Sequence, residues 1–285
     1  MSGHSWHTVF GRRACGLLFF AAALAACVPY PADQLPDDGR GNSQYGIVEG
    51  AYPGLDAGAS ELQGLHFKVK AYGAQVAQDT SDMCERAYTR IMTDTGLYSF
   101  SPRGMYAIVV YGSQDEYRKK TGQPDWSAGV TVGNAIYAFY SPVLEGVLSH
   151  EMTHLIWFEY MNGRLSDQQR WVNEGLAVYE EAKARNRGYE LFAGLLPTLR
   201  AAPIPIDQLQ NMAPNTERAY DVSLWYAESE SLIRFMIERG GRIGFGQFLA
   251  AIQQGQSFDA AIDAAYPGRW RTLGDFYDDW KRSLS

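Results

Sequence analysis

The order of apolar and polar side chains predicts a strand, a helix and a buried strand in the first part of the chain. Residues 66–72 alternate between the two classes, as a half-buried strand does. A helical pattern runs from Gln75 to Thr93 and stops at Gly96. The continuous apolar run at 105–111, with its β-branched residues, is typical of a buried central strand.

Residues 113–140 continue this mixture of elements. Ser113-Gln114-Asp115-Glu116 has the form of a capping box and predicts a short helix to about Lys120. Two further strands are predicted at 130–132 and 135–140, joined by a turn at Gly133-Asn134.

The pattern after Pro142 is helical, with no further strong strand pattern. A chain with strands and helices first, and helices alone afterwards, suits an α+β domain. We therefore expect one domain over 65–285, with the sheet in a first half at 65–160 and a helical half at 161–285.

The first 26 residues have the features of a secretory signal peptide. Arg12 and Arg13 precede an apolar stretch at 16–26 that is too short to span a bilayer. Leu24-Ala25-Ala26-Cys27 resembles the lipobox of bacterial lipoproteins, in which the cysteine after the cleavage site carries the lipid. An ordinary signal peptide, or a buried apolar helix with an incidental cysteine, is the alternative.

The resemblance to lipoproteins implies a location in the bacterial cell envelope. Residues 27–64, rich in Pro, Asp and Gly at their start, are expected to form a flexible tether. Lipid on Cys27 would hold the protein at a membrane. Val28 is compatible with sorting to the outer membrane.

Composition and charge exclude several classes of protein. The 285 residues are 46% hydrophobic and 20% charged, which excludes an intrinsically disordered chain. A formal net charge of −7 argues against nucleic acid as a partner, because surfaces that bind it are normally basic. No apolar run reaches the roughly 18 residues of a membrane-spanning helix.

The stretch His150-Glu151-Met152-Thr153-His154 carries the pattern most informative about function. On a helix, residues four apart share one face, so His150 and His154 can bind the same zinc ion. An apolar stripe from Leu144 to Leu155 occupies the opposite side. Glu151 lies between the two faces, where it can reach a water molecule without binding the metal. The alternative is a chance cluster of surface residues.

A third ligand is offered by Glu174, which lies 20 positions after His154. It belongs to a second predicted helix that opens at 166–169. Gly175 removes a side chain where the two helices are expected to approach closely. Alternatively, Glu174 is one exposed acid of an amphipathic helix. The pairing with the histidine motif favours the ligand.

The histidine motif followed by Asn173-Glu174-Gly175-Leu176-Ala177 resembles the gluzincin metallopeptidases, specifically the peptidase MA-like families of bacterial envelopes. The resemblance covers most of residues 65–282. It implies a zincin-like fold, a polypeptide substrate and one zinc ion per chain held by His150, His154 and Glu174. It also implies that Glu151 is the general base.

Two further expectations depend on this resemblance. Residues 135–140 occupy the place of the edge strand along which zincins bind an extended peptide. Relatives of the thermolysin type often have an Asp four residues after the glutamate ligand to orient a histidine, but this chain has Val178 there. Glu181 or a backbone carbonyl would have to replace it, and the sequence does not choose between them.

Many gluzincins stabilise the oxyanion of the transition state with a histidine downstream of the zinc ligands. No histidine follows His154 in this chain, so a tyrosine hydroxyl is the natural substitute. Tyr226 is the first choice by resemblance, and Tyr220 is the alternative. Both tyrosines could instead serve only in packing.

Two functions remain open from the sequence. The first is a zinc-dependent hydrolase that cleaves peptide bonds in the cell envelope, with Glu151 activating water. The second is an envelope binding or assembly lipoprotein that keeps a structural or vestigial zinc site. The carboxylate of Glu151 favours the first, because a structural site has no use for an unligated acid at that position.

Overall fold

A computed structural model describes residues 50–162, 164–185, 188–211 and 219–284. The strands in these ranges are β1 (Ala59–Gln63), β2 (Phe67–Tyr72), β3 (Tyr106–Tyr111), β4 (Gly129–Val132) and β5 (Ala135–Phe139). The helices are α1 (Ala74–Thr95), α2 (Gln114–Thr121), α3 (Leu144–Met161), α4 (Arg170–Ala184), α5 (Leu196–Ala201), α6 (Ile206–Asn211), α7 (Ala219–Gly240), α8 (Arg242–Gln253), α9 (Phe258–Ala265) and α10 (Leu273–Ser283).

The expected α+β class and the helical second half are both confirmed. Local sequence patterns account for several boundaries. Gly96, in the left-handed region at φ 68°, follows the last residue of α1. The Ser113 hydroxyl accepts a hydrogen bond from the backbone N–H of Glu116 and caps α2.

The five strands form one mixed sheet in the order β1-β2-β3-β5-β4. The three central strands are parallel to one another, and the two outer strands run antiparallel to their neighbours. The expectation that residues 135–140 form an edge strand is therefore wrong. The segment corresponds to β5, which pairs with β3 on one side and β4 on the other. The edge on this side of the sheet is β4, which pairs with β5 on the side away from β3.

The domain begins before residue 65, the boundary expected from the sequence. β1 pairs with β2 over its whole length. Upstream of β1, the Tyr52 ring lies 5.0 Å from the Tyr137 ring, and the Tyr111 hydroxyl donates to the Pro53 carbonyl at 2.7 Å. Residues 50–64 thus contribute to the fold, whereas the predicted signal peptide and most of the tether lie outside the described residues.

No helix in the described part of the chain has the length and apolar character needed to cross a bilayer.

The central helix of the fold is α3. It packs against β4 and β5 of the sheet on one side and against α4 on the other. Its side chains are therefore buried almost all the way round from Leu144 to Trp157. Because α4 covers the side opposite the apolar stripe, the histidine face is buried as well.

Candidate metal centre

Three side chains from α3 and α4 converge in the interior. His150 and His154 lie one helical turn apart on α3, and their ring centroids are 4.9 Å apart. The Glu174 Oε2 atom on α4 lies 3.9 Å from His150 Nε2 and 3.7 Å from His154 Nε2. Each side chain is only 1% exposed. The structure thus brings together the three ligands predicted from the sequence.

The three facing atoms fit a bound cation. His150 Nε2, His154 Nε2 and Glu174 Oε2 are all buried, and among the described residues none has a hydrogen-bond partner. Buried polar atoms rarely remain unpaired, because each costs roughly 1–3 kcal/mol. In a tetrahedral zinc site, ligand atoms at about 2.0–2.1 Å from the metal lie about 3.3 Å from one another. A small inward adjustment would therefore place all three around one ion.

The other ring nitrogen of each histidine is bound by α4. Glu181 Oε2 lies 3.1 Å from His150 Nδ1, and Asn173 Oδ1 lies 3.0 Å from His154 Nδ1. Both partners are acceptors, so Nδ1 donates in each ring and Nε2 keeps its lone pair for a metal. Of the two alternatives for orienting a histidine, the structure has Glu181 rather than a backbone carbonyl.

The carboxylate of Glu181 is itself held in place. Arg185, which directly follows α4 and lies one turn after Glu181, contacts Glu181 Oε1 at 2.6 Å through Nη2. Gly146 of α3 leaves room for this arginine, because a Cβ atom there would lie 2.5 Å from Arg185 Nε. One carboxylate oxygen therefore binds the arginine while the other binds His150.

The charges of the site favour a divalent cation. Burial lowers the pKa of His154 to about 3 and raises the pKa of Glu174 to about 8. Burial also disfavours the charged form of His150, but its hydrogen bond to Glu181 and the nearby carboxylates raise its pKa to about 9. Without a metal, protons on His150 and Glu174 thus partly compensate the negative charge of the buried carboxylates. A bound cation would displace these protons.

Glu151 is not one of the three grouped donors, but its charge raises the pKa of both His150 and Glu174, so it lies near them. It is fully buried, and its Oε2 atom accepts a hydrogen bond of 2.8 Å from the Thr131 hydroxyl on β4. Imidazole and carboxylate donors together suit zinc and related transition metals. A carboxylate placed next to such a centre can exchange protons with a water molecule there.

Residues 83–285 match the sequence family described as the Peptidase MA superfamily. The chain belongs to this superfamily. The match covers α3 and α4, and with them every donor atom of the metal centre. No curated protein sequence matches the chain significantly.

Membership of the Peptidase MA superfamily supports a peptidase and hence a polypeptide substrate. Proteins of this superfamily are generally zinc-dependent, and the group His150, His154 and Glu174 could bind a metal in this chain. The family predicted from the sequence is thereby confirmed at the level of the superfamily.

The helix that carries the two candidate tyrosines packs directly against α4. A Cβ atom at Gly175 would lie 2.5 Å from the Ser229 carbonyl of α7. Gly175 was expected to admit α3, but the helix that comes close to it is α7. Tyr226 lies one turn before Ser229 and is buried, with its ring perpendicular to the Trp225 ring at 5.1 Å between centroids. Tyr220 is the second residue of α7, and its side chain lies outside the described part of the structure.

Several residues around this candidate metal centre were not assigned a role from the sequence. Asn173 directly precedes Glu174 in the sequence, but the sequence did not show that it binds His154. Arg185 follows Glu181 at helical spacing, which could have indicated the ion pair. Thr131 carries no local pattern of this kind, because its contact with Glu151 depends on the pairing of β4 with β5.

Proposed function

We propose that this protein is a gluzincin-type zinc peptidase that hydrolyses peptide bonds with Glu151 as the general base. The observation that supports it most directly is the set of three buried donor atoms that have no other partner in the described structure. Two histidines and one glutamate form the ligand set of catalytic zinc sites that keep one position open. We expect one zinc ion per chain.

Glu151 has the chemistry required of the base. Zinc bound at this site would lower the pKa of a water molecule from 15.7 to about 7 and polarise the peptide carbonyl. Glu151 would accept a proton from the water molecule while the oxygen of that water bonds to the carbonyl carbon. The carboxylic acid would then give that proton to the nitrogen as the C–N bond breaks, which restores the carboxylate.

The negative charge on the carbonyl oxygen needs a donor as well. We assign this role to the Tyr226 hydroxyl, with Tyr220 as the alternative. The assignment rests on the resemblance to gluzincins and on the position of α7 against the helix that carries Glu174. A hydroxyl in a water-excluded site is an effective donor to a developing oxyanion.

The proposed location is the bacterial cell envelope, with the protein anchored by lipid on Cys27. The lipobox-like sequence at 24–27 supports it. A Cys27→Ser variant should accumulate as an unprocessed precursor when membrane fractions are compared with wild type. Normal processing and membrane retention of the variant would contradict the anchor.

The decisive experiment is a peptide-library digest with zinc-loaded protein, chelator-treated protein and the Glu151→Gln variant. Zinc-loaded wild type should cleave peptides, and chelator-treated protein should not. The cleavage rate of Glu151→Gln should be lower than that of wild type by about 10²–10⁴-fold. The variant should retain zinc at one equivalent, because Glu151 is not a ligand. A zinc-loaded wild type that cleaves nothing in the library would favour the binding or assembly protein instead.

A further inference from the structure

The edge strand β4 lies alongside α3 and presents two of its four residues to Glu151. Side chains alternate along a strand, so Gly129 and Thr131 point to one face and Val130 and Val132 to the other. The two valines belong to the apolar cluster on the outer face of the sheet. Gly129 and Thr131 face the helix that carries the proposed base.

The Thr131 hydroxyl binds Glu151 directly. It lies 2.8 Å from the carboxylate atom Oε2 and 3.0 Å from the Glu151 backbone carbonyl. The hydroxyl has one proton, and a carboxylate is a stronger acceptor than a carbonyl in a helix. Both residues are almost completely buried, with Thr131 only 7% exposed. Water therefore competes little for this hydrogen bond.

Gly129 provides the space that the Glu151 side chain occupies. A Cβ atom at Gly129 would lie 3.1 Å from Glu151 Cγ and 3.3 Å from Oε1, and only 2.7 Å from Val147 Cγ1. Any larger residue would push against the base or against α3. The backbone of β4 therefore forms a wall against the stem of Glu151, while Thr131 holds one end of its carboxylate.

We infer that Thr131 is a positioning residue for Glu151 in the proposed hydrolysis, on which this inference rests. A glutamate side chain has three torsions. Rotation about any of them would move the carboxylate away from the water molecule of the proposed hydrolysis. The wall at Gly129 and the hydrogen bond from Thr131 together restrict those torsions. A base held in one orientation needs no reorganisation when the proton moves.

The test compares Thr131→Val, which keeps the shape of the side chain but removes the hydroxyl, with Thr131→Ser, which keeps the hydroxyl. The valine variant should lower kcat by about 10- to 100-fold, because a misplaced catalytic group costs up to that much. KM and zinc content should stay at the wild-type values. The serine variant should recover most of kcat.

A matched control separates this effect from general loss of a buried hydrogen bond. Thr95 on α1 is also buried, and its hydroxyl donates to the Ile91 carbonyl at 2.6 Å. Thr95→Val should leave kcat unchanged. A normal kcat in Thr131→Val, or a loss that serine does not restore, would overturn the inference.

A second readout does not depend on hydrolysis. In a crystal structure of zinc-loaded Thr131→Val, Glu151 should be rotated or adopt several conformers. In zinc-loaded Thr131→Ser, Glu151 should keep the wild-type conformer. An unchanged Glu151 in the valine variant would overturn the positioning role even if the protein proves inactive. If Glu151→Gln is inactive while Thr131→Val is normal, the proposed function stands and this inference fails.

Discussion

The two histidines of the metal centre have different acceptors on α4. His150 donates to the carboxylate of Glu181, whereas His154 donates to the neutral amide oxygen of Asn173. A carboxylate fixes the ring and also makes its other nitrogen a stronger ligand, while an amide mainly fixes the ring. Metal affinity should therefore depend more on Glu181 than on Asn173.

We predict that Glu181→Gln weakens metal binding by about 10- to 100-fold. The glutamine keeps the shape of the side chain and can still accept from His150 Nδ1, but it removes the negative charge. It also removes the ion pair with Arg185. Competition between the protein and a chromophoric chelator would measure the affinity.

Glu180→Gln is the matched control for that measurement. Glu180 is the neighbouring buried acid on α4, but it pairs with Arg90 at 2.8 Å. In the described part of the chain, the hydrogen bonds of the two histidine rings go to Glu181 and Asn173 instead. Replacement of Glu180 should affect folding stability and leave metal affinity close to wild type, provided that binding is measured well below the melting temperature. Equal affinities for wild type and Glu181→Gln would contradict the role of this carboxylate.

The oxyanion donor can also be tested at the level of one residue. Tyr226→Phe keeps the ring against Trp225 and removes only the hydroxyl, so fold and metal content should be retained. If the hydroxyl donates to the transition state, kcat should fall by about 10²–10³-fold. An unchanged kcat in Tyr226→Phe together with a large loss in Tyr220→Phe would transfer the role to Tyr220.

At the scale of elements, local patterns in the sequence predicted most strands and helices, but not the order of the strands. The cap at Ser113 and the stop at Gly96 act on neighbouring residues, so they can be identified from a short window. The sequences of β4 and β5 do not show which of them forms the edge, because that depends on pairing with the distant strand β3. For the same reason the contact of Thr131 with Glu151 could not be predicted.

The pair of histidines in the candidate metal centre could be identified from the sequence because their spacing is set within one helix, whereas Glu174 belongs to a second helix. His150 and His154 share a face by helical geometry alone. Gly175 shows the limit of this reasoning. Its lack of a side chain correctly indicated a close helix contact, but its partner is α7, which begins more than 40 residues later in the chain.

We predict that Gly175→Ala disrupts the contact between α4 and α7. The new methyl group would lie 2.5 Å from the Ser229 carbonyl and 2.9 Å from Ile233 Cγ1, so one helix must shift. Overpacking of this kind costs roughly 1–3 kcal/mol of unfolding free energy. Denaturant unfolding would measure the loss.

Gly274→Ala provides the comparison on another helix. Gly274 is exposed on α10, and a Cβ atom there meets only Thr272 Oγ1 at 3.6 Å, an ordinary contact. Alanine should stabilise this helix by about 0.5–1 kcal/mol, because glycine loses more backbone entropy on folding. A Gly175→Ala variant as stable as wild type would show that the two helices can separate without cost.

At the scale of the whole molecule, a buried acid links three distant parts of the helical half. Glu228 of α7 is completely buried, and its Oε2 atom accepts from the Ile204 backbone N–H at 2.8 Å, between α5 and α6. Its Oε1 atom lies 3.4 Å from the hydroxyl of Tyr277 on α10, whose one proton goes to the nearer Ile204 carbonyl at 2.7 Å. No cation is paired with Glu228 among the described residues.

Burial raises the pKa of Glu228 from its ordinary value of 4.5 to about 8, against the lowering effect of the Ile204 N–H and the Tyr277 hydroxyl. Between these two pH values the folded protein holds a proton that the unfolded chain has released. The unfolding free energy contributed by this group should therefore be greatest below about pH 4.5 and should decrease as the pH rises to about 8.

We predict that Glu228→Gln removes this loss of stability. Glutamine resembles the protonated acid, because its oxygen can accept from the Ile204 N–H while its amide group faces Tyr277. The variant should match wild type near pH 5 and exceed it by several kcal/mol near pH 9, because each unit of pKa difference between the folded and unfolded states corresponds to about 1.4 kcal/mol. Urea unfolding of chelator-treated proteins would measure the difference in stability without a contribution from metal.

The exposed acid Asp263 on α9 supplies the control, since Asp263→Asn should follow the wild-type pH dependence. Parallel curves for wild type and Glu228→Gln would mean that Glu228 is ionised in the folded protein and that its hydrogen bonds compensate fully for burial.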